Sequence, residues 1–169
     1  TLYIYDPVAD SWAIGAPLPA WRYSYAAAAY GGKYYLFGGQ ISTGATNTAL
    51  VYDPASNSWS NLPNMAHIRR YPSAGLIGGK IYVAGGYNPT GSVFTRVVEV
   101  YDPVANSWST AAPLPAALPD GTPLDGWIRA ADGVLDNRYL VMAGGYQADS
   151  TASVWVLVYD VLQNGWGFQ

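Results

Sequence analysis

Hydrophobic positions along this chain of 169 residues fall into short runs, and turn-forming Gly, Pro, Asn, Asp and Ser separate them every 8 to 12 positions. No window repeats with the 3.6-residue period of a helix, so the pattern predicts strands and turns throughout. One set of runs, Tyr34 to Phe37, Ile81 to Ala84 and Tyr139 to Ala143, closes each time on a glycine pair: Gly38-Gly39, Gly85-Gly86 and Gly144-Gly145. A second set closes on Tyr-Asp, with a Trp six residues beyond the Asp: Asp6 to Trp12, Asp53 to Trp59, Asp102 to Trp108 and Asp160 to Trp166. Successive Asp residues stand 47, 49 and 58 positions apart. Self-similarity at that length predicts a repeat architecture in which each unit is one supersecondary block.

Each unit reads as four short strands. A small-residue stretch comes first (Tyr25 to Tyr30, Ser73 to Ile77, Ile128 to Leu135), the run into the glycine pair second, the run into Tyr-Asp third, and the Trp segment fourth. Ala, Gly and Ser suit a crowded inner strand, whereas Val, Ile, Tyr and Trp suit strands packed on both faces. Gly31-Gly32, Gly78-Gly79 and Asn137-Arg138 mark the hairpin turns between strands one and two, where residues tolerant of positive φ are needed. In three units Tyr-Asp continues into Pro7, Pro54 or Pro103, which fixes φ at a turn whose backbone N–H groups the Asp can cap. The predicted boundaries are 1–20, holding strands three and four of one unit, then complete units over 21–66, 67–115 and 116–169, the last with an inserted loop at its start.

This pattern resembles the kelch repeat: an apolar run into Gly-Gly, a variable loop, then Tyr-Asp and a Trp six residues on, at a spacing of about 50 residues. The segments Ile81-Tyr82-Val83-Ala84-Gly85-Gly86 and Val97-Val98-Glu99-Val100-Tyr101-Asp102 carry the resemblance best. It implies an all-β kelch-type β-propeller segment of about three and a half four-stranded blades. Such propellers tend to have six or seven blades, so the expectation is part of a larger ring, completed by more chain or by further copies. The opening at Thr1, inside a repeat, fits an absent upstream portion.

Composition narrows the chemistry. Half the residues are hydrophobic and 11% are charged, enough apolar surface for a large core. No apolar run is long enough to span a bilayer as a helix. With a net charge of −3 and eight Lys plus Arg, no basic stripe exists for a phosphate backbone, which argues against a nucleic-acid partner. The absence of Cys removes thiol nucleophiles and thiolate metal sites, and with them the copper radical oxidases that share the kelch propeller and need a Tyr-crosslinked Cys. The Ser-x-Asp-x-Gly-x-Thr-Trp turns of propeller sialidases are missing too. Few Lys and Glu beside abundant Tyr, Ser, Thr, Asn and Gly resemble a secreted or cell-surface protein, pointing to an extracellular or cell-envelope location and leaving the cytoplasm open.

Arginines recur at the entrance to each inner strand, at Arg22, Arg69 and Arg129, within Trp21-Arg22-Tyr23, His67-Ile68-Arg69-Arg70-Tyr71 and Trp127-Ile128-Arg129. One reading is a ring of guanidinium and aromatic groups at the channel mouth, holding an anionic or sugar ligand by bidentate bonds and stacking. The other makes each Arg a repeat feature bonded to carbonyls between blades, and recurrence once per unit favours it. The binding candidates are Trp21, Arg22, Tyr23, His67, Arg69, Arg70, Tyr71, Trp127 and Arg129. His67 lacks a partner nearby in sequence for general-base work, Glu99 is expected to bond an Arg, and the recurring Asp and Trp residues are expected to cap turns and pack between blades. Asp120, Asp125, Asp132 and Asp136 are too irregularly spaced for a calcium loop, so no metal, cofactor or catalytic residue is predicted.

The function expected is a non-enzymatic interaction or structural module. It would bind a protein partner, or assemble with the rest of its own propeller, through the loops Gln40 to Thr46, Tyr87 to Phe94, Tyr146 to Ser153 and the insertion 114 to 126. The alternatives are a sugar-processing enzyme similar to sialic acid mutarotases, built on Arg22, Arg69 and Arg129 with His67 or Glu99, or a glycan-binding module that stacks sugars on Trp21 and Trp127.

Overall fold

A computed structural model describes residues 1–147 and 151–169. The chain opens with the hairpin β1 (Leu2–Asp6) and β2 (Ser11–Gly15). The first four-stranded antiparallel sheet follows, with β3 (Ala26–Tyr30) and β4 (Lys33–Phe37), a small hairpin β5 (Gln40–Ile41) and β6 (Gly44–Ala45), then β7 (Ala49–Asp53) and β8 (Ser58–Leu62). The second comprises β9 (Ser73–Ile77), β10 (Lys80–Ala84), β13 (Val98–Asp102) and β14 (Ser107–Ala111), with the hairpin β11 (Tyr87–Asn88) and β12 (Val93–Phe94) in the same loop. The third comprises β15 (Ala131–Leu135), β16 (Tyr139–Ala143), β17 (Val156–Asp160) and β18 (Gly165–Phe168). Each sheet runs in sequence order from its first strand to its last, and β9 lies between β3 and β15, so the first strands gather on one axis. The fold is all β, with no helix among the described residues.

Crowding at that axis explains the small residues of the first strands. A side chain at Gly75 of β9 would run into Val134 and Leu140 of the third sheet. Between sheets, two apolar clusters fill the space: Phe37, Met65, Ile81, Val83 and Tyr101 join the first two sheets, and Ile77, Tyr82, Leu114, Trp127, Leu140 and Leu157 join the second and third.

The Tyr-Asp to Trp motif closes the outer hairpin of each sheet by one repeated device. Tyr52, Tyr101 and Tyr159 lie across from Trp59, Trp108 and Trp166. Each Tyr hydroxyl donates to Oδ1 of Asn57, Asn106 or Asn164 at 2.6–2.7 Å. Those Asn residues hold φ near +50°, a region that Asn enters at lower cost than most side chains. Each Asp accepts the backbone N–H two residues on. A Lys or Arg at or just before the start of the second strand also pairs with that Asp: Lys33 with Asp53 at 2.9 Å, Lys80 with Asp102 at 3.5 Å, and Arg138 with Asp160 at 2.6 Å. Lys33 and Arg138 chiefly hold the carboxyls of Asp53 and Asp160 below their ordinary range, whereas at Asp102 the Ala105 N–H does most, with Val104 and Lys80 adding less.

The same motif joins successive sheets. Nε1 of Trp59, Trp108 and Trp166 donates to the carbonyls of Ala16, Pro63 and Ala112 in the preceding unit. Oδ1 of Asn57 and Asn164 accepts the N–H of Ala16 and Ala112, also across the seam. Pro63 has no N–H to offer Asn106. Replacing Asn57 with Ala is therefore expected to destabilise the fold by about 1 kcal/mol more than replacing Asn106, the worth of one extra hydrogen bond, as measured by urea unfolding.

Two expectations need correction. Trp12 has the motif's geometry, yet it is 68% exposed, with no sheet among the described residues covering it. The insertion 114–126 folds on itself through backbone bonds from Leu118 to Thr122 and from Leu124 to Ala116, with Leu114, Leu118 and Leu124 buried and residues between them exposed. Ile128 lies outside the first strand of its sheet, bridging to Tyr146 instead, because Arg129 breaks the strand with φ of 56°. The loop Tyr146 to Ser153 falls partly outside the described residues.

Candidate functional site

The glycine pairs set the register in which the sheets present their side chains. Gly39 N–H donates to the Arg69 carbonyl of the next unit, and Gly86 N–H to the Trp127 carbonyl, both at 2.9 Å. At Gly38 and Gly85, φ is 64° and 66°, and a Cβ would lie 2.5 Å from those same carbonyls, so only glycine fits. The residue in the Arg69 position of the third sheet is thus Trp127. The structural equivalents are Arg22, Arg69 and Trp127, each followed two residues on by a residue of positive φ: Ser24, Tyr71 and Arg129.

This register divides the sequence candidates in two. Arg22 sends Nη1 to the Gly38 carbonyl at 2.7 Å and the Thr48 carbonyl at 3.2 Å, and Nη2 to Thr48 Oγ1 at 2.8 Å. Arg69, fully buried, donates to the carbonyls of Gly85 and Val97 at 2.9 and 3.0 Å, and also to Glu99. Burial pulls the Arg69 guanidinium below its ordinary value, and Glu99 offsets part of that. Glu99 in turn accepts the Ala66 N–H at 2.6 Å, with exposed His67 Nδ1 3.4 Å from its carboxylate. Trp127 replaces the Arg with one bond, Nε1 to the Gly144 carbonyl at 2.6 Å, and is fully buried. Arg22, Arg69 and Trp127 spend their donors on tying strands together.

Arg70, Tyr71 and Arg129 sit differently. Arg70 lies 5.3 Å from the ring centroids of both Tyr71 and Tyr87, and Arg129 lies 4.2 Å from Tyr71 and 5.9 Å from Tyr146. The Tyr71 ring is thus shared by two guanidinium groups. Hydrogen bonding from Arg129, aided by Ser24, pulls the Tyr71 phenol below its ordinary value. These five residues, with Phe94 and Ile128, line a cavity of about 450 Å³, and none of its described lining residues is acidic. Among the described residues Arg70 donates to Gln40 Oε1 at 3.4 Å, and its Nε, like those of Arg22 and Arg69, has no hydrogen-bond partner there.

The backbone builds the cavity. Arg70 bridges Tyr87, and Ile128 bridges Tyr146, stitching each entry segment to the loop after the second strand. Tyr71 N–H donates to the Ser24 carbonyl at 2.7 Å and fixes neighbouring entries together. Positive φ at bulky Tyr71 and Arg129, at 59° and 56°, is strained backbone of a kind that collects at binding sites. Trp21 and Tyr23, which do not line this cavity, stack with ring centroids 5.7 Å apart and are exposed. Tyr87 and Tyr146, each directly after a glycine pair, open two of the loops that the sequence offered for partner binding, but were not singled out as individual site residues. No group of three His, Cys, Asp or Glu that could hold a metal occurs among the described residues.

Comparison with known proteins follows this geometry. The kelch-motif family model matches residues 22–66 and 68–115, more than half of the chain. A solved structure described as "Structure of YjhT" superposes with a TM-score of 0.79 at 21% identity, over 94% of this chain and 55% of that one. The chain therefore spans about half the length of that protein, and the likeness concerns the fold. A search of curated proteins gave no match. The repeated Tyr-Asp to Trp hairpins, the glycine pairs docked on the next unit and the family match together show that the chain belongs to the kelch-repeat family, with a β-propeller fold.

Proposed function

We propose that this kelch propeller is a binding module whose partner inserts an acidic group between Arg70 and Arg129. The observation that carries this reading is the pair of guanidinium groups flanking Tyr71 in a cavity whose described lining is otherwise Tyr87, Phe94, Ile128 and Tyr146. Guanidinium groups near aromatic faces keep their planar donors available to a carboxylate, which can accept two of them at once. A non-enzymatic role is supported by the engagement of Glu99, which is 2% exposed and committed to Arg69 and the Ala66 N–H. The reading concerns a protein partner, through an acidic side chain of an extended segment lying along the rim.

The test is binding to an immobilised array of acidic peptides and their amide counterparts, with Asn and Gln replacing Asp and Glu. Acid-selective binding that weakens with salt is expected. Arg70→Ala and Arg129→Ala should each weaken it about 10- to 100-fold, the range for hydrogen bonds to a charged group, with thermal stability unchanged. Equal binding of amide peptides would overturn the reading. Selective capture of carboxylated sugars would favour the sugar-binding alternative over a protein partner.

A further inference from the structure

The three entry segments meet the rim in one register. Tyr23, Arg70 and Ile128 hold equivalent places, each paired both ways through its main chain with the residue after a glycine pair: Gln40, Tyr87 and Tyr146. One step along the rim from Arg70 therefore stands Tyr23, and Trp21 stacks on it with ring planes 8° apart. Contact joins this step to the guanidinium site, because Gln40 Oε1 accepts from Arg70 Nη1 at 3.4 Å and the Ser24 carbonyl accepts the Tyr71 N–H at 2.7 Å. Trp21 is 58% exposed and Tyr23 48%. Ile68, in the place of Trp21 one unit on, is exposed as well, so this position of the rim faces solvent in both units.

This arrangement limits how a partner lies across it. A segment that adds as a β-strand needs free main-chain donors and acceptors, and those of Tyr23, Arg70 and Ile128 are already paired with their own loops. Recognition is left to side-chain faces and guanidinium donors. Polyproline II backbone, which makes no hydrogen bonds of its own and docks proline rings on aromatic faces, suits such a surface. Proline also pre-orders an extended chain, which lowers the ordering cost of binding. Neighbouring entries stand one hydrogen bond apart at Ser24 and Tyr71, so a segment of about three residues, covering about 10 Å when extended, reaches from one to the next.

We infer that the acidic partner segment carries a proline within about three residues of its carboxylate, and that this proline packs on the Trp21–Tyr23 stack while the carboxylate sits between Arg70 and Arg129. The inference rests on the reading of the Arg70–Arg129 site as an acid site and adds the residue type that stands beside the acid. Trp21 and Tyr23 thereby select among acidic segments that the two guanidinium groups alone would treat alike.

The test titrates the natural full-length protein into labelled Gly-Ser peptides that carry one Glu and, at successive positions on either side of it, one Pro or one Ala. Pro is expected to tighten binding about 3- to 10-fold over Ala at the best position. Trp21→Ala should abolish that gain and keep the preference for Glu over Gln, whereas Arg70→Ala should weaken the preference and keep the gain. Trp21→Phe should retain most of the gain, and the Trp21 indole N–H resonance should move with the Pro peptide and not with its Ala counterpart. No gain at any position, or a gain that survives Trp21→Ala, would overturn the inference and leave the acid site standing. Dependence on Trp21 shown only by carboxylated sugars would overturn it in favour of a glycan. Equal binding of Glu and Gln peptides would overturn the acid site and the inference with it.

Discussion

Replacing Arg69 with Met is expected to destabilise the protein by about 3–5 kcal/mol, the usual cost of removing one partner from a buried ion pair. The cause is what remains behind. Glu99 is left without its guanidinium partner in a site that is 2% exposed, beside only the Ala66 N–H and the exposed His67 ring. The carbonyls of Gly85 and Val97 each also lose a donor where the loop between β10 and β13 leaves and rejoins the sheet, Val97 keeping the N–H of Gly85. The double replacement Arg69→Met with Glu99→Leu should recover much of the loss, because it removes the stranded charge along with its partner. Denaturant unfolding of the two variants measures this directly. A single replacement as harmless as one at exposed Tyr23 would contradict the structural role.

The second large effect is expected at Trp108. Its indole meets Phe37 edge-on at 5.5 Å and Tyr101 at 5.1 Å, and its Nε1 crosses the seam to the Pro63 carbonyl at 2.8 Å. Trp108→Ala removes packing and a seam bond together and should cost about 3–5 kcal/mol. Trp21, exposed and stacked only on Tyr23, provides the comparison: Trp21→Ala should change stability by about 0.5 kcal/mol or less, as for surface substitutions generally. Similar losses at both positions would mean that the repeated Trp does not hold one sheet to the next.

Strand order, turns and repeat were legible in the sequence because they rest on local signals. The glycine pairs, the Tyr-Asp turns and the alternation of small and large strands each report backbone conformation within a few residues. The pairing of Lys33, Lys80 and Arg138 with the turn Asp was equally periodic, but it becomes visible only when strands two and three are laid side by side. The site was harder to read. Arg129 looks like the third member of the Arg22 and Arg69 series, yet the insertion shifts the count, and the register follows the carbonyl that docks on Gly85-Gly86. Trp127 takes the buried place, and Arg129 moves two residues on to the rim. Adjacent Arg69 and Arg70 are indistinguishable as letters, but one turns inward to Glu99 and the other outward to Tyr87. Spacing puts Arg69 in series with Arg22, 47 residues on, but does not tell which of the two neighbours turns inward.

The most direct measurement is the response of the arginine Nε–Hε resonances when an acidic peptide selected on the array is added to the isotopically labelled protein. The account predicts saturable shifts at Arg70 and Arg129, with Arg22 and Arg69 unmoved in their carbonyl cradles. Shifts confined to other arginines, or binding that leaves Arg70 and Arg129 unperturbed, would contradict a partner site between them.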